Sequence, residues 1–433
     1  PALLQPYAER ARQMLGVSTY PETWRTPDKM VSLQDSARAM GAPFRRTPIA
    51  VNFSDQLNPF GVPQPKCNNC GDCTSGCNVG AKNTTLMNYL PDARRHGAAI
   101  YTGARVTHVE REGGRWRVHF EPVALRDRPP ADATASTTAA RSVTADVVLL
   151  GAGALGSTEI LLRSRERGLP LSDRLGQRFS GNGDVLAWSY DNAGPDPKPG
   201  QDWPAVHGIG AGSNVLTPRQ MPGPCITGVI DLRGAADPRQ GLVIEEGVVP
   251  GALASMMAPA LFFADALGGG ELRYGADQAE QRLTDAQLLG NALMNDPGSL
   301  TALAYRGPVA RTQTYLVMSV DEAAGTLRLV DDRLRIDWPG AGDSRAIAND
   351  NRRLGEAADA VEGIFVPNPI GTDAMGRRLV TVHPLGGCGM GDDATQGVVD
   401  ADGRVFAGSA GTAVHEGLFV CDGAVLPGPA GVN

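Results

Sequence analysis

The sequence contains neither a block of basic residues nor an apolar run long enough to cross a membrane. Its 433 residues include 40 Lys and Arg against 47 Asp and Glu, a net charge of −7. Nucleic-acid surfaces need clustered Lys and Arg to neutralise phosphates, so the composition argues against that class of partner. The uncharged stretch that comes closest to a span, residues 247–264, is interrupted by Pro250 and Pro259. We interpret it as buried core or as the wall of an apolar pocket.

The overall composition is that of an ordinary globular protein. Hydrophobic residues make up 42% of the chain and charged residues 20%, and the length suits two or three domains or one large interleaved enzyme fold. The 54 Gly and 32 Pro predict many tight turns. The sequence shows no targeting signal from Pro1 onward, which says little about location, and a bacterial cytoplasmic and a secreted location both stay open.

Local patterns predict several elements. Residues 1–50 look helical, and "TPIAVNF" (47–53) suggests a strand. Residues 99–123 predict two strands joined at Gly113-Gly114, residues 324–340 predict a second hairpin, and residues 344–365 have helical periodicity. Residues 125–142 are interpreted as an exposed loop.

The motif "GAGALG" (151–156) follows a predicted strand and opens a predicted helix, the context of a dinucleotide-binding glycine turn. An acidic residue should end a second strand about 20 residues later. Asp173 has that distance but does not follow a strand, so a free-standing NAD site is not favoured.

The C-terminal segments "VTVHPLGGCGMG" (380–391) and "GLFVCDGAVLPGPAGVN" (417–433) resemble the glucose-methanol-choline (GMC) flavoprotein family, in particular its cholesterol-oxidase-like branch. The resemblance extends to "GAKNTT" (80–85), "GAGALG" and "RFSGNGD" (178–184). It implies an α/β fold in which an FAD-binding Rossmann-like domain, residues 58–184 and 375–433, is interleaved with a mixed-sheet substrate domain, residues 1–57 and 185–374.

The resemblance also implies that the family's first βαβ unit, with its principal glycine motif, belongs before Pro1, and that a further helix follows "GVN". The sequence therefore predicts that these residues alone bind FAD weakly or not at all.

The same resemblance implies the catalytic residues. Oxidation of an alcohol removes a hydride from carbon and a proton from oxygen, and an imidazole is suited to accept the proton. We expect His383 of "HPLGG" in that role, with Gly386-Gly387 letting the chain pass close to the flavin, and Asn433 of "GVN" as a hydrogen-bond donor to the substrate oxygen.

Two adjacent carboxylates, Glu245 and Glu246, lie in "GLVIEEGVVPGAL", which resembles the stretch carrying the branch's active-site Glu. Neighbouring strand residues point to opposite faces, so one is expected in the pocket and the other in solvent, with Glu245 favoured for the pocket. A pair of surface acids remains the alternative. The expected pocket lining is Val248, Val249, Leu253, Met256, Met257 and Phe262 or Phe263.

Residues near FAD follow from the resemblance only. They are Val106, Gly151, Ala152, Gly153, Asn182, Gly183, Asp422 and Gly423. The remaining histidines lack such a context and are interpreted as structural.

Cys67, Cys70, Cys73 and Cys77 form a C-x₂-C-x₂-C-x₃-C run typical of bacterial ferredoxins, although zinc, disulfides and a structural loop remain open. Some sugar-dehydrogenase relatives in the GMC family carry an iron–sulfur cluster in a Cys-rich segment here. An FAD-dependent oxidation of a bulky apolar alcohol, with O₂ or another electron acceptor, is the predicted function. The alternatives are an iron–sulfur GMC dehydrogenase, an inactive fragment of such an enzyme, or a ferredoxin-like or NAD-linked protein.

Overall fold

A computed structural model describes residues 4–123, 141–192, 221–234, 237–267 and 308–431. The described helices are α1 Gln5–Met14, α2 Asp28–Ala39, α3 Tyr89–Arg95, α4 Gly153–Glu166, α5 Ala254–Leu267 and α6 Arg345–Asp359. The first eight strands are β1 Phe44–Arg46, β2 Gln56–Leu57, β3 Pro63–Gln64, β4 Ala104–Glu112, β5 Arg115–Pro122, β6 Arg141–Ala145, β7 Val148–Leu150 and β8 Val185–Tyr190. The others are β9 Gly228–Asp231, β10 Leu242–Gly247, β11 Gln313–Ser319, β12 Thr326–Val330, β13 Arg333–Asp337, β14 Ile364–Val366, β15 Arg404–Phe406 and β16 Val414–Val420. None of the described helices has the length and apolarity needed to cross a bilayer.

The chain divides into two compact units. Unit 1 comprises Pro1–Ala98, Val185–Met318 and Ile347–Leu379. Unit 2 comprises Ala99–Asp184, Ser319–Ala346 and Val380–Asn433. This division differs from the expected domain boundaries at residues 58–98, 319–346 and 375–379. Residues 58–98 belong with unit 1 because Cys67 and Ala81 pack with Val51 in one apolar cluster.

Unit 1 is built on a six-stranded sheet in the order β1-β9-β10-β11-β8-β14. One surface of this sheet, here called face A, carries Ile230, Ile244, Tyr315 and Val317, which pack against α2 and α6. The helices contribute their apolar stripes to this core, namely Leu33 and Ala37 from α2 and Ile347, Leu354 and Ala357 from α6.

The opposite surface, face B, is defined by the alternate residues of the same strands. The strand register places Glu245 beside Val229 and Thr314 beside Trp188 on this face. At the β8–β14 edge, Trp188 packs with an apolar cluster that includes Met257 and Leu261 of α5. The stretch at residues 251–267 is therefore a short 3₁₀ turn followed by a helix that covers part of face B.

Unit 2 contains three small sheets, ordered β15-β16-β7, β4-β5-β6 and β12-β13. The parallel pair β7–β16 and helix α4 share a core with the inner face of β4 and β5, where Val109 and Trp116 are fully buried. The expected strand–turn–helix at "GAGALG" is thus confirmed. Both predicted hairpins, β4–β5 and β12–β13, are also confirmed, because their signals are local turn residues between alternating strands.

Two expectations for local structure were wrong. Residues 47–53 make isolated bridges, Ser18 with Ile49 and Val51 with Lys82, and the neighbouring strand is instead β1. The end of the supposed loop at 125–142 begins strand β6, which pairs with β5, and residues 124–140 lie outside the described residues.

Candidate active site

A carboxylate orients the histidine that the sequence singles out. His383 Nδ1 lies 2.9 Å and 3.0 Å from the two carboxylate oxygens of Asp184. Asp184 also accepts hydrogen bonds from the backbone N–H groups of Val382 (2.7 Å) and His383 (3.1 Å) and from the Thr381 hydroxyl (3.0 Å). The Asp184 side chain is 1% exposed and that of His383 is 26% exposed. The buried acid therefore fixes both the backbone and the ring, and about a quarter of the His383 side chain, 26%, is exposed.

This geometry selects a tautomer. An ionised carboxylate only accepts hydrogen bonds, so Nδ1 carries the proton that faces Asp184. Nε2 then holds a lone pair and is the basic atom of the ring. The arrangement makes His383 chemically competent to remove a proton from a hydroxyl group.

Asp184 is the last residue of a loop, residues 180–184. A second carboxylate, that of Asp321, holds this loop in shape. Asp321 accepts hydrogen bonds from the Ser180 hydroxyl and the N–H of Gly181, both at 2.9 Å, and from the N–H of Gly183 at 3.0 Å. Gly183 has φ +63°, and a Cβ there would overlap Ser319. The carboxylate of Asp321 therefore holds the loop, and position 183 accepts only glycine.

The same loop reaches the C-terminal segment. The Asn182 side-chain oxygen accepts hydrogen bonds from the N–H groups of Ala430 and Gly431, each at 2.8 Å. These residues lead into "GVN", whose Asn433 lies outside the described residues. Asn182, at φ +57°, therefore anchors the backbone that carries the second expected catalytic residue. A contact of Asn182 or Gly183 with the flavin stays a prediction.

The glycine motif at residues 151–156 is not an open phosphate site. Asp422 accepts hydrogen bonds from the N–H of Gly153 (2.9 Å) and from the Ser157 hydroxyl (2.5 Å) at the start of α4. Its other oxygen accepts from the N–H of Ala424. A carboxylate already occupies the anion-binding end of this helix, which is the physical reason that a separate NAD site here is disfavoured.

The backbone around that motif does fit a flat cofactor. Gly151 and Ala152 are exposed where β7 ends, and Cys421 is exposed where the parallel strand β16 ends. Ligands of such sheets bind beyond the carboxyl ends of the strands. A Cβ on Gly153 would meet nothing within 4 Å, and one on Gly151 would meet only Cys421 Sγ at 3.7 Å. The surface that the resemblance assigns to FAD is therefore open backbone.

Other residues expected near FAD are part of the same unit. Val106 is half-buried on β4 and packs on the core of unit 2. A Cβ on Gly423 would lie 3.2 Å from Leu385. The structure assigns Gly386 and Gly387 to close packing within the protein, because a side chain there would overlap Arg178 and Thr158 respectively. A flavin contact is not needed to explain these two glycines.

The expectation that one of the adjacent glutamates meets solvent was wrong. Glu245 is 3% exposed and Glu246 is fully buried, because β10 is an interior strand covered on both faces. Glu246 lies with Ile244 on face A, where it accepts hydrogen bonds from Lys29 Nζ (2.8 Å) and the N–H of Thr227 (2.7 Å). Lys29 is itself 0% exposed. Glu246 is thus half of a buried ion pair between α2 and the sheet.

Glu245 lies on face B. On the adjacent strand β11, the hydroxyl oxygen of Thr314 is buried, and directly opposite Thr314 on β8 the ring N–H of Trp188 is buried. Neither group has a hydrogen-bond partner within the described parts of the chain. A Cβ on Gly247 would lie 3.1 Å from the Thr314 methyl group, which places Thr314 two residues along β10 from Glu245. Face B therefore carries polar groups on an otherwise largely apolar surface.

The expected lining of an apolar pocket is divided. Val248, Val249 and Met257 are buried, whereas Leu253 is 48% and Met256 63% exposed. The side chains of Phe262 and Phe263 lie outside what the structure describes.

The four-cysteine segment is an ordered loop in unit 1 with all four thiols free. Gly71 and Gly76 have φ of +81° and +117°, as expected where the loop must bend. Asp72 accepts hydrogen bonds from Asn78 Nδ2 (2.8 Å) and from the N–H of Gly251 (2.7 Å), which ties the loop to the turn before α5. The loop therefore helps to position that helix.

In the metal-free loop, burial favours the protonated form of these thiols. Burial raises the pKa of Cys67 to about 11, and burial likewise raises the pKa of Cys70 and Cys73. Metal ligation needs the thiolate. In the described parts of the chain, the group of three or more possible ligand atoms lying within 4.8 Å of one another is His108, Glu110 and His119, not the cysteines.

Sequence reasoning missed Asp184 and Asp321, which organise the candidate site. "SGNGD" places Asp184 directly after the expected flavin-contacting residues, but no sequence signal pairs it with a histidine 199 residues away. Asp321 lies 138 to 141 residues from the groups that it holds.

Family comparison agrees with this geometry. Sequence models of the N-terminal and C-terminal parts of the GMC oxidoreductase family match residues 5–180 and 342–433. The chain belongs to the GMC oxidoreductase family. It therefore has the GMC fold, and GMC enzymes are FAD-dependent oxidoreductases that act on CH–OH groups.

Individual relatives of this GMC protein are oxidases. A cholesterol oxidase of Mycobacterium tuberculosis is 28% identical over 460 residues, covering 99% of this chain and 69% of that protein. A cholesterol oxidase of Acinetobacter baumannii is 24% identical, covering 99% and 71%. A long-chain-alcohol oxidase of Arabidopsis thaliana is 23% identical, covering 85% and 44%.

A solved FAD-dependent oxidoreductase from Chaetomium thermophilum aligns over 96% of this chain and 70% of its own, with a TM-score of 0.46 and 14% identity. None of these relatives supports an iron–sulfur cluster.

Proposed function

We propose that this GMC protein oxidises the hydroxyl group of a bulky, apolar alcohol, sterol-like or long-chain, to a carbonyl, with O₂ as the electron acceptor. The observation that carries the proposal is the His383–Asp184 pair in unit 2. The names of the relatives, cholesterol oxidase and long-chain-alcohol oxidase, support the apolar class of substrate and the oxidase activity.

His383 acts as the general base in this proposal. Its Nε2 accepts the proton of the substrate hydroxyl, while Asp184 holds Nδ1–H and stabilises the positive charge that develops on the ring. FAD, when bound, supplies the acceptor for the hydride that leaves the carbinol carbon. Asn433 donates a hydrogen bond to the substrate oxygen, and the Asn182 anchor fixes the backbone of its segment.

The residues that hold FAD are proposed from the open backbone at the ends of β7 and β16. Gly151, Ala152 and Gly153 present one edge, and Asp422 and Gly423 the other. Asp422 acts here through the helix it caps, since both of its carboxylate oxygens already accept hydrogen bonds. Unit 2 is accordingly the proposed flavin-binding domain and unit 1 the proposed substrate domain.

Face B of the unit 1 sheet is the proposed substrate surface. Glu245 is its carboxylate, and the buried Trp188 N–H and Thr314 hydroxyl are donors without a hydrogen-bond partner among the described residues. A buried donor without a partner costs about 1–3 kcal/mol. An oxygen atom of the substrate placed against Thr314 or Trp188 would remove that cost, whereas Glu246 is occupied by Lys29.

The experiment is a substrate panel with identified products. The protein, supplied with excess FAD, is incubated with a sterol, a long-chain primary alcohol, choline and glucose, and carbonyl products are identified by mass spectrometry while O₂ consumption is recorded. We expect sterol or long-chain ketone or aldehyde with matching O₂ uptake, lost in His383→Asn. Faster turnover of choline or glucose, or unchanged turnover in His383→Asn, would refute the proposal.

A further inference from the structure

The outer face of the sheet β4-β5-β6 carries a cluster of two histidines and a glutamate. His108 on β4 lies directly opposite His119 on β5 in the strand register. Their rings are stacked, with centroids 4.1 Å apart and planes inclined by 6°. Glu110, two residues beyond His108, lies on the same face because strand side chains alternate.

The three side chains bring their ligand atoms close together. One ligand atom of each lies within 4.8 Å of the others. His119 Nε2 is 2.7 Å from Glu110 Oε1, and His108 Nδ1 is 3.0 Å from the Thr107 hydroxyl. None of these residues belongs to the proposed active site.

We propose that His108, Glu110 and His119 form a binding site for a divalent transition-metal ion such as Zn²⁺ or Co²⁺. Two imidazoles and one carboxylate are a ligand set that such ions accept, with the remaining positions taken by water. Residues directly opposite on antiparallel strands have Cβ atoms about 4.5–5.5 Å apart, so two histidines there can reach one ion. The ion would join β4 to β5 on the solvent side.

Binding requires a small rearrangement. Ring nitrogens donate in the plane of the ring, and two parallel stacked rings do not point at a common centre. Rotation about χ2 corrects this at little cost, because that torsion is broad for histidine. The carboxylate of Glu110 must then exchange its hydrogen bond to His119 for the metal.

Some charged groups around the cluster favour a bound cation and others oppose it. The carboxylate of Glu110 favours a cation, whereas Arg167 is close enough to His108 to repel one. Arg117 lies 3.9 Å from Glu110 and, with Arg167, opposes a cation. We therefore expect moderate affinity rather than that of a closed structural zinc site.

The test uses Co²⁺ alone as the probe, with calorimetry for affinity and visible absorption for ligand type. Cysteines are the competing ligands in this chain, and thiolate ligation of Co²⁺ produces an intense charge-transfer band that nitrogen and oxygen ligands lack. We expect one site without that band. His119→Asn and Glu110→Gln should each weaken binding at least about tenfold, and His108→Asn/His119→Asn should abolish it.

His96→Asn is the matched control, because His96 is an exposed histidine paired with the carboxylate of Asp92 in unit 1. It should bind Co²⁺ like the wild type. In the wild-type protein, Co²⁺ should also selectively broaden the NMR resonances of the His108 and His119 rings, a readout that does not depend on the variants folding. Equal Co²⁺ affinity in the wild type and the double variant, a thiolate band, or broadening of other histidines only would overturn the proposal.

Discussion

His383 Nδ1 lies 2.9 Å from the carboxylate of Asp184, an acid whose side chain is 1% exposed and whose oxygens also hold the backbone of residues 382 and 383. Asp184 therefore acts on the reaction through the histidine, as a positioning residue. Loop 180–184 contains both Asp184 and Asn182, and Asn182 anchors the segment leading to Asn433. Five consecutive residues thus hold both His383 and the backbone of residues 430–431.

Replacement of the positioning acid should affect turnover more than substrate binding. We expect Asp184→Asn to lower kcat by about 10²-fold or more with KM changed little, because Asn can donate to Nδ1 and favour the wrong tautomer. Steady-state kinetics on an apolar alcohol measure this, and ¹⁵N NMR of the histidine ring reports the tautomer. If Asp184→Asn instead raised KM and left kcat unchanged, Asp184 would serve substrate binding and not turnover.

Glycine at position 183 should be irreplaceable for two reasons. Alanine there adopts a left-handed conformation, which costs about 1–2 kcal/mol, and its Cβ overlaps Ser319. Gly340→Ala is the matched control, since Gly340 has φ +72° but a Cβ would meet nothing within 4 Å. Denaturant unfolding should show Gly183→Ala as clearly the less stable of the two. Equal unfolding free energies would contradict the close packing of loop 180–184.

Variants of the two adjacent glutamates should affect different properties: Glu246 the free energy of unfolding and Glu245 the kcat/KM. Glu246→Gln leaves Lys29 as a buried charge without its counter-ion and should lower the free energy of unfolding by about 3–5 kcal/mol. Lys29→Met/Glu246→Gln should be less destabilised than the sum of the single changes. Glu121→Gln, in the exposed pair with Arg105, should cost no more than about 1 kcal/mol.

Glu245→Gln tests the other half of this assignment. Its main effect should be on kcat/KM for the apolar alcohol, measured beside its unfolding curve. A stability loss in Glu245→Gln as large as that of Glu246→Gln, with kcat/KM unchanged, would assign Glu245 to the structure of the sheet.

Unlike the Glu246 variant, a variant without the Thr314 hydroxyl on face B should keep the free energy of unfolding of the wild type. Thr314→Val removes a buried hydroxyl that has no partner in the described part of the chain, so the protein should be as stable as the wild type or slightly more stable. If a substrate oxygen binds there, kcat/KM should fall several-fold. A destabilised Thr314→Val variant with normal kinetics would show that the hydroxyl has an internal role.

The four-cysteine loop should contain no cluster. Burial raises the pKa of Cys67 to about 11, so its alkylation should be slow near pH 7 and accelerate as pH rises toward that value, where the thiolate forms. The same shift links the free energy of unfolding to pH. The contribution of Cys67 to that free energy is fully present below the ordinary thiol pKa of 9 and is lost as pH rises toward 11. Anaerobic purification with iron and sulfide assays should find neither; stoichiometric amounts of both would restore the dehydrogenase alternative.

The sequence predicted the elements whose signals are local. The β4–β5 hairpin follows from two glycines between alternating strands, and the turn before α4 follows from "GAGALG" after an apolar run. It also identified His383 by resemblance. It could not identify Asp184 as the partner of His383, because that contact depends on the fold bringing distant segments together. It misjudged Glu246 because two-sided burial is a property of a strand's place in the sheet.

The most direct test of the account is a double-mutant cycle on kcat for oxidation of an apolar alcohol, with FAD in excess. If Asp184 acts only through His383, the variant His383→Ala/Asp184→Asn will be no slower than His383→Ala alone, although each single change is strongly impaired. Fully additive losses in the double variant would show that the two residues act independently, and would contradict the central claim.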